Sequence, residues 1–180
     1  MPAALRGESL EVIAKREGRW SGSSEHKEGS GSFVIMAFSH LRWSFVWQRP
    51  QQILSRLART HPVLFIEEPI HDVGPDDEPF IEEQPGSENV TVAIPHLRSQ
   101  SANEGDAHTV LLGLVRGKIK ELEFDDPVLW YYSPMMAEWS LGEIPSRAIV
   151  YDCMDELSQF KGAPTRLIEN EKRLLDSADI

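Results

Sequence analysis

The sequence has little cysteine: Cys153 is the single one among 180 residues. One cysteine excludes an internal disulfide framework and any metal site built from several cysteines. No apolar run approaches the ~20 residues that span a bilayer, and the N-terminus lacks the compact apolar stretch of a signal peptide. The sequence therefore predicts a cytoplasmic protein, and it leaves open a peripheral contact at the inner face of the membrane.

Positive charge is also scarce, because 18 Lys and Arg face 29 Asp and Glu, for a net charge of -11. Such a chain repels phosphates, so we expect no nucleic-acid partner. Glycine is absent from residues 39–49, where a dinucleotide-binding fold needs G-x-G-x-x-G after its first strand. The chain also lacks a P-loop and an HExxH motif. An NAD or FAD enzyme is therefore not expected.

Composition divides the chain in two. Residues 1–32 mix charge with a Gly/Ser-rich linker, and we expect a disordered N-terminal extension there. From Phe33 onward, short apolar runs alternate with amphipathic segments. The runs predict strands at 33–38, 63–66, 90–94, 128–132 and 148–151, and the amphipathic segments predict helices at 50–60, 107–123 and 164–178. This alternation predicts an α/β fold, a Rossmann-like doubly wound parallel sheet over residues 33–180.

The same pattern gives three further expectations, for the acidic stretch, the last helix and the C-terminal residues. The stretch 67–88 holds nine acidic residues and four prolines without Lys or Arg, which predicts a long loop. The last helix is expected to turn Leu167, Ile168, Leu174 and Leu175 inward. A further strand should begin at 179–180, so the domain is expected to be incomplete at its C-terminus.

Ligands of parallel α/β sheets bind beyond the carboxyl ends of the strands, so the segments that follow the strands hold the candidate residues. These are His40, Arg42, Trp43, Arg49, Glu68, Ser133, Asp152 and Asp155. Each has a structural alternative: a histidine can cap a loop, an arginine can pair with the acidic stretch, and a tryptophan can lie in the core. His96 is expected to be a loop residue without a role, and Cys153 a small buried residue.

The strongest local signal is Tyr151-Asp-Cys-Met-Asp-Glu156. Three carboxylates at the end of one strand are costly to crowd together unless they are solvated, paired or used in chemistry. Proximity of like charges raises the pKa of a carboxyl group toward neutral pH, which suits a general base. The alternative is that Asp155 or Glu156 caps the turn that follows.

Four segments resemble a known family. They are Phe38-Ser-His-Leu-Arg-Trp-Ser-Phe-Val-Trp-Gln-Arg-Pro-Gln51, Val63-Leu-Phe-Ile-Glu-Glu-Pro69, Leu129-Trp-Tyr-Tyr-Ser-Pro-Met135 and Val150-Tyr-Asp-Cys-Met-Asp-Glu-Leu157. Together they are similar to the N-terminal half of bacterial GT-B glycosyltransferases, and most similar to the group related to the teichuronic-acid transferase.

The resemblance implies an acceptor-binding domain from an enzyme of cell-envelope polysaccharide biosynthesis. The acceptor would be a saccharide or lipid-linked saccharide, and a nucleotide-sugar donor would bind only with a C-terminal donor domain. Asp155, in preference to Asp152, would be the general base. His40, Arg42 and Arg49 would position acceptor or phosphate, and neither a metal nor a cofactor is expected. The alternative function is a non-catalytic binding module that keeps the fold.

Overall fold

The computed structural model describes residues 33–99 and 104–180, so the extension predicted for residues 1–32 lies outside the described residues. The strands are β1 (Ile35–Ser39), β2 (Val63–Glu67), β3 (Ile70–Val73), β4 (Phe80–Pro85), β5 (Val90–Arg98), β6 (Val128–Tyr131) and β7 (Ala148–Tyr151). The helices are α1 (Arg49–Leu57), α2 (Glu104–Glu121), α3 (Pro134–Ser140) and α4 (Thr165–Ser177), with a 3-10 turn at Leu157–Gln159.

Five parallel strands form the body of the sheet in the order β5-β2-β1-β6-β7. Numbered along the chain, this is the order 3-2-1-4-5 of a Rossmann-like sheet, whose strand order reverses between its first and fourth strands. Strand β4 runs antiparallel along one edge of β5. Strand β3 pairs with the end of β5, His96 to Arg98. The predicted α/β fold class with a parallel sheet is confirmed.

Helices cover both faces of this sheet, because side chains alternate along each strand. Phe38 faces the side where Leu111 of α2, Trp139 of α3 and Leu174 of α4 pack. Ala37 faces the opposite side, where Leu54 of α1 packs. A strand buried on both faces needs a continuous apolar run, and β1 and β2 are buried along their whole length. The doubly wound arrangement follows from this pattern.

The prediction of a loop at 67–88 is wrong, since β3 and β4 lie within it. The backbone of β4 pairs with β5, while two of its acidic side chains face Lys118 and His96. Glu83 accepts a bond from Lys118 at 2.5 Å. Glu82 lies 3.2 Å from His96, whose other ring nitrogen lies 2.8 Å from Asp72. His96 is therefore a buried residue of β5, not the loop residue expected from the sequence.

The last helix packs differently from the prediction. Leu174 is fully buried and Leu167 half-buried, but Ile168 is 47% and Leu175 61% exposed. The helix instead buries polar side chains that have partners, such as Glu171, which accepts a bond from the Tyr151 hydroxyl at 2.7 Å. None of the helices in the described ranges is long and apolar enough to cross a membrane.

The chain after α4 runs beside β7, at the place where the sequence predicts a further strand. The Asp179 amide donates to the Ile149 carbonyl at 2.8 Å, and the Tyr151 amide donates to the Ile180 carbonyl at 2.9 Å. These two bonds alternate along the edge of β7 as the bonds of a sheet do.

Candidate functional site

The site lies where the strand order reverses, between the carboxyl ends of β1 and β6. In sheets of this topology the loops on either side of that point separate and ligands bind between them. We call this position, between the segments after β1 and β6, the crevice. The segment after β1 begins at His40, and the segment after β6 begins at Tyr132. The Tyr132 amide donates to the Phe38 carbonyl at 2.9 Å, so the pairing of β1 and β6 continues up to the start of these two segments.

Buried polar side chains fix the loop after β1. Glu67 is 2% exposed and accepts two bonds from this loop, from Arg42 Nη1 at 2.8 Å and from the Trp43 amide at 2.7 Å. Gln51 of α1 donates to the carbonyls of Trp43 at 3.0 Å and Val46 at 3.1 Å. Because the backbone is bonded from both sides, the loop presents its side chains in a defined arrangement.

That loop buries one tryptophan and exposes the next. Trp43 is 9% exposed and packs edge-on against Phe65, with ring centroids 5.0 Å apart. In contrast, Phe45 is 77%, Val46 50% and Trp47 58% exposed. The structure thus places Trp43, a predicted acceptor-binding residue, in the core, and leaves three large apolar side chains uncovered beside the crevice.

Arg49 and Asp152 meet across the crevice. Arg49 Nε lies 3.1 Å from Asp152 Oδ2, and Arg49 Nη2 lies 2.9 Å from Asp152 Oδ1. The Asp152 side chain is 6% exposed and the Arg49 side chain 60%. This two-bond geometry is the strongest form of an arginine–carboxylate pair, and it joins the first turn of α1 to the end of β7.

Tyr132 lies beside this pair. Its side chain is 3% exposed, and its hydroxyl has no hydrogen-bond partner in the described part of the chain. Burial raises the pKa of the Tyr132 phenol well above its usual range, and the Asp152 carboxylate raises it further. Arg49 and the nearby Trp130 indole act to lower it. The indole nitrogen of Trp130 is the group nearest in kind to such a partner, but it is also buried and makes no hydrogen bond of good geometry with any described residue.

His40 and Glu68 follow the neighbouring strands β1 and β2 at the same edge of the sheet. His40 Nδ1 is buried, and nothing in residues 33–99 or 104–180 bonds to it. Burial raises the pKa of the Glu68 carboxyl above its ordinary value, while His40 and Arg42 act to lower it. Arg42 holds Glu68 by its backbone, since Nη1 donates to the Glu68 carbonyl at 2.8 Å. The Glu68 side chain is left to face a cavity.

This cavity has a volume of about 300 Å³ and lies under α2, α3 and α4. Its polar lining includes Glu138, which hydrogen bonds with Arg166 and Asn170. Although burial opposes ionisation, these bonds hold the pKa of Glu138 below its usual range. Sequence reasoning missed Glu138 because it missed α3. Ser133-Pro134 was the available signal, since Pro favours the first turn of a helix.

The remaining candidates lie near the end of β7 and the start of α3. Asp155 is exposed, and its carboxylate makes no hydrogen bond or ion pair with any described residue. Cys153 is exposed, so the expectation that it is buried is wrong. Ser133 is buried just before α3. In the described ranges, no group of three or more His, Cys, Asp or Glu side chains could hold a metal ion.

No protein-family model and no curated protein matches the chain, and its similarity is to solved structures. Three solved chains match. One is described as trehalose-6-phosphate from E. coli bound with UDP-2-fluoro glucose; it is 14% identical, with a TM-score of 0.41, over 80% of this chain and 37% of that chain. Another is α,α-trehalose 6-phosphate synthase from Burkholderia multivorans, at 15% identity and a TM-score of 0.41, over 83% of this chain and 40% of that chain. The chain therefore spans about two fifths of each.

Proposed function

We propose that this chain is the acceptor-binding domain of a GT-B-type glycosyltransferase. A saccharide or lipid-linked saccharide binds in the crevice between β1 and β6, and a second domain supplies the nucleotide-activated sugar. The four sequence segments similar to GT-B enzymes support this proposal, and two of them follow β1 and β6, the strands on either side of the crevice. The finer assignment to the teichuronic-acid-transferase group rests on those segments alone.

The observation that carries the proposal is the set of unpartnered polar atoms at the crevice. Tyr132 Oη and His40 Nδ1 are buried without partners in the described chain. An unmade bond at a buried polar atom costs about 1–3 kcal/mol, so native proteins rarely tolerate one without a reason. The hydroxyls of a saccharide can both donate and accept, and they would satisfy these two atoms.

Asp155 is the base that we assign to the transfer. Both oxygens of Asp152 are bonded to Arg49, whereas the Asp155 carboxylate is exposed and bonds to no described residue, so it is the one free to contact an acceptor hydroxyl. In the reaction, Asp155 takes the proton from the acceptor hydroxyl as its oxygen bonds to the anomeric carbon. The bond from that carbon to the nucleotide breaks, and a nucleoside diphosphate leaves with the electron pair. No metal or cofactor is assigned to this domain.

The exposed Phe45, Val46 and Trp47 support a lipid-linked acceptor and a peripheral contact with a membrane. Large apolar side chains on a fixed loop need a reason to remain in water, and aromatic rings are favoured at the boundary between lipid and water. The loop adjoins the crevice, so a membrane contact there would bring the head group of a lipid-linked saccharide to the site. The cytoplasmic face of the membrane and a role in cell-envelope polysaccharide synthesis are part of this proposal and rest on the sequence resemblance.

Titration of the ¹⁵N-labelled chain tests acceptor binding. The probes are a disaccharide on a short-chain polyprenyl diphosphate and, separately, UDP-glucose. We expect the first to shift the resonances of Tyr132 and the Trp130 indole, and the second to leave them unchanged. Tight binding of UDP-glucose at these residues would contradict the assignment of this domain to the acceptor. Acceptor binding without transfer in an assembled enzyme would favour the non-catalytic module.

A further inference from the structure

The outer edge of β4 is free to pair with another strand. On its inner side β4 pairs with β5, and no strand in residues 33–99 or 104–180 pairs with its outer side. Antiparallel strands exchange backbone bonds at alternate positions, and the Gly86 amide donates to the Val90 carbonyl at 3.0 Å. By this alternation the N–H and C=O groups of Ile81 and Glu83 point away from β5. The partner opposite Ile81 is Pro95, which has no amide hydrogen to donate, in agreement with this assignment.

An apolar groove lies beside this edge, between β4 and α2, with a volume of about 670 Å³; we call it the β4 groove. Its lining from α2 is spaced by three and four positions, which puts it on one face of the helix. The apolar and glycine residues of the lining are Phe80, Ile81, Val110, Gly113, Leu114 and Gly117. Phe80 is 48% and Val110 40% exposed. A Cβ atom added at Gly113 or Gly117 would meet no atom within 4 Å, so the groove has room for side chains from outside.

The surroundings of the β4 groove carry an excess of negative charge. Residues 76–83 include five acidic residues and neither Lys nor Arg. The two cations of the lining are already paired, because Arg98 lies 3.3 Å from Glu78, and Lys118 lies 2.6 Å from Glu121 and 2.5 Å from a glutamate of β4. Another acidic chain would be repelled at this edge, including a second copy of this chain with its net charge of -11. A strand that carries Lys or Arg would be attracted.

We propose that β4 binds an extended segment of a partner protein in which apolar and basic residues alternate. The backbone of the segment continues the sheet through the free groups of Ile81 and Glu83. Side chains of a strand alternate between its two faces, so the apolar ones enter the β4 groove beside Leu114. The basic ones lie on the other face, where the Glu82 side chain is 46% exposed. In this mode of recognition the backbone bonds supply affinity and the side chains supply specificity.

This interaction is independent of the proposed glycosyltransferase function. The strands β5, β2 and β1 separate β4 from the crevice, so a partner on β4 leaves the acceptor site open.

The test titrates synthetic peptides into the ¹⁵N-labelled chain. The probe is acetyl-Lys-Val-Lys-Val-Lys-Val-Lys-amide, in which basic and apolar residues alternate. One control peptide has the same residues in the block order Lys-Lys-Lys-Lys-Val-Val-Val, and a second has Glu in place of every Lys. We expect the alternating peptide to shift the amide resonances of Ile81, Glu83 and Gly113, and to bind about tenfold more tightly than the block peptide, which has the same charge but cannot place its apolar residues on one face. The acidic peptide should not bind.

Two variants with matched controls locate the binding. Gly113→Leu should fill the β4 groove and abolish binding of the alternating peptide. The variant should still fold, because leucine favours a helix over glycine and the added side chain has free space; thermal unfolding checks this. Thr109→Leu, exposed on the same helix and outside the groove lining, should bind like the wild type. Glu82→Gln should weaken binding several-fold, whereas Glu169→Gln, exposed on α4, should not.

Three results would overturn the proposal. The first is that the alternating peptide fails to shift these resonances. The second is that the block or the acidic peptide binds as tightly as the alternating one, which would leave only non-specific attraction or adsorption. The third is that Gly113→Leu or Glu82→Gln binds the alternating peptide like the wild type.

Discussion

Arg49 and Asp152, 103 positions apart in the chain, form a two-bond ion pair at the carboxyl edge of the sheet, with contacts of 3.1 and 2.9 Å. The pair connects the start of α1 to the segment after β7. It therefore ties the segment that carries Asp155 to the first turn of α1.

A double-mutant cycle with Arg49→Met and Asp152→Asn measures this link. The Asp152 side chain is 6% and the Arg49 side chain 60% exposed. We therefore expect a coupling free energy of about 1–2 kcal/mol for this pair, between the values typical of exposed and of buried ion pairs. Urea unfolding of the wild type, both single variants and the double variant gives the value. A coupling near zero would mean that solvent screens the pair and that it does not tie the two segments together.

The neighbouring tyrosines give a second prediction, because both are buried but differ in their hydroxyl partners. The Tyr131 hydroxyl lies 2.9 Å from Ser140 Oγ, so Tyr131→Phe should lower the free energy of unfolding by about 1 kcal/mol. Tyr132→Phe removes a hydroxyl without a partner in the described chain, so it should leave stability unchanged or higher.

The two tyrosine variants should affect acceptor binding in the opposite order to their effect on stability. Tyr132→Phe should weaken binding of the lipid-linked disaccharide several-fold, because its hydroxyl would then be missing from the complex. Tyr131→Phe should bind it normally. Thermal unfolding and the same resonance titration separate the two effects, and a Tyr132→Phe chain that is less stable but binds normally would assign that hydroxyl to the fold alone.

The adjacent glutamates give a third prediction. Glu67 accepts bonds from Arg42 and the Trp43 amide, so Glu67→Gln should destabilise the fold by about 2 kcal/mol. The pKa of Glu68 is raised by burial from its ordinary value of 4.5, so ionisation of this group costs stability in the folded chain. Glu68→Gln should therefore be stabilising at neutral pH.

The pH dependence of stability tests whether Glu68→Gln stabilises the chain for this reason. A carboxyl group with a raised pKa binds its proton more tightly in the folded state, so the free energy of unfolding falls as pH rises above 4.5. Glu68→Gln should lose this slope, and its stability advantage over wild type should shrink as pH falls to 4.5. An advantage that grows on acidification would contradict the assignment of the raised pKa.

The exposed loop residues give a fourth prediction. The test uses neutral phosphatidylcholine vesicles, so that charge neither attracts nor repels the chain. Anionic lipid would repel a chain of net charge -11. The double variant Phe45→Ser, Val46→Ser should bind such vesicles at least about tenfold more weakly than wild type, since two apolar side chains are lost. Leu175→Ser on α4, also exposed, is the control in co-sedimentation. Equal losses for both variants would mean non-specific adsorption.

The buried parallel strands could be predicted because their requirement is local. β1 and β2 are covered on both faces, so each needs a continuous apolar run that is visible in the sequence. Helix α1 shows an apolar stripe and Pro50 in its first turn. β4 could not be predicted in this way, because its acidic sequence is stabilised as a strand by backbone pairing with β5 and by Lys118 of α2.

In the candidate site, likewise, the sequence predicts where residues lie in the sheet but not which partners their side chains take. The strand-end rule predicts that His40, Glu68 and Asp152 lie at one edge of the sheet, and the structure has them there. Which partner each side chain takes depends on contacts between residues far apart in the chain. The pairing of Asp152 with Arg49 and the burial of Trp43 are therefore visible in the structure and not in the spacing of residues.

The most direct measurement of the central claim is the turnover of sugar transfer by this domain joined to a donor-binding domain. We expect Asp155→Asn to lower turnover by about 10²–10⁴-fold, the usual scale for a general base. Asp152→Asn should cause a smaller loss, because that residue acts through Arg49. Normal turnover in Asp155→Asn with a large loss in Asp152→Asn would assign the base to the wrong carboxylate. Normal turnover in both would contradict catalysis at this edge of the sheet.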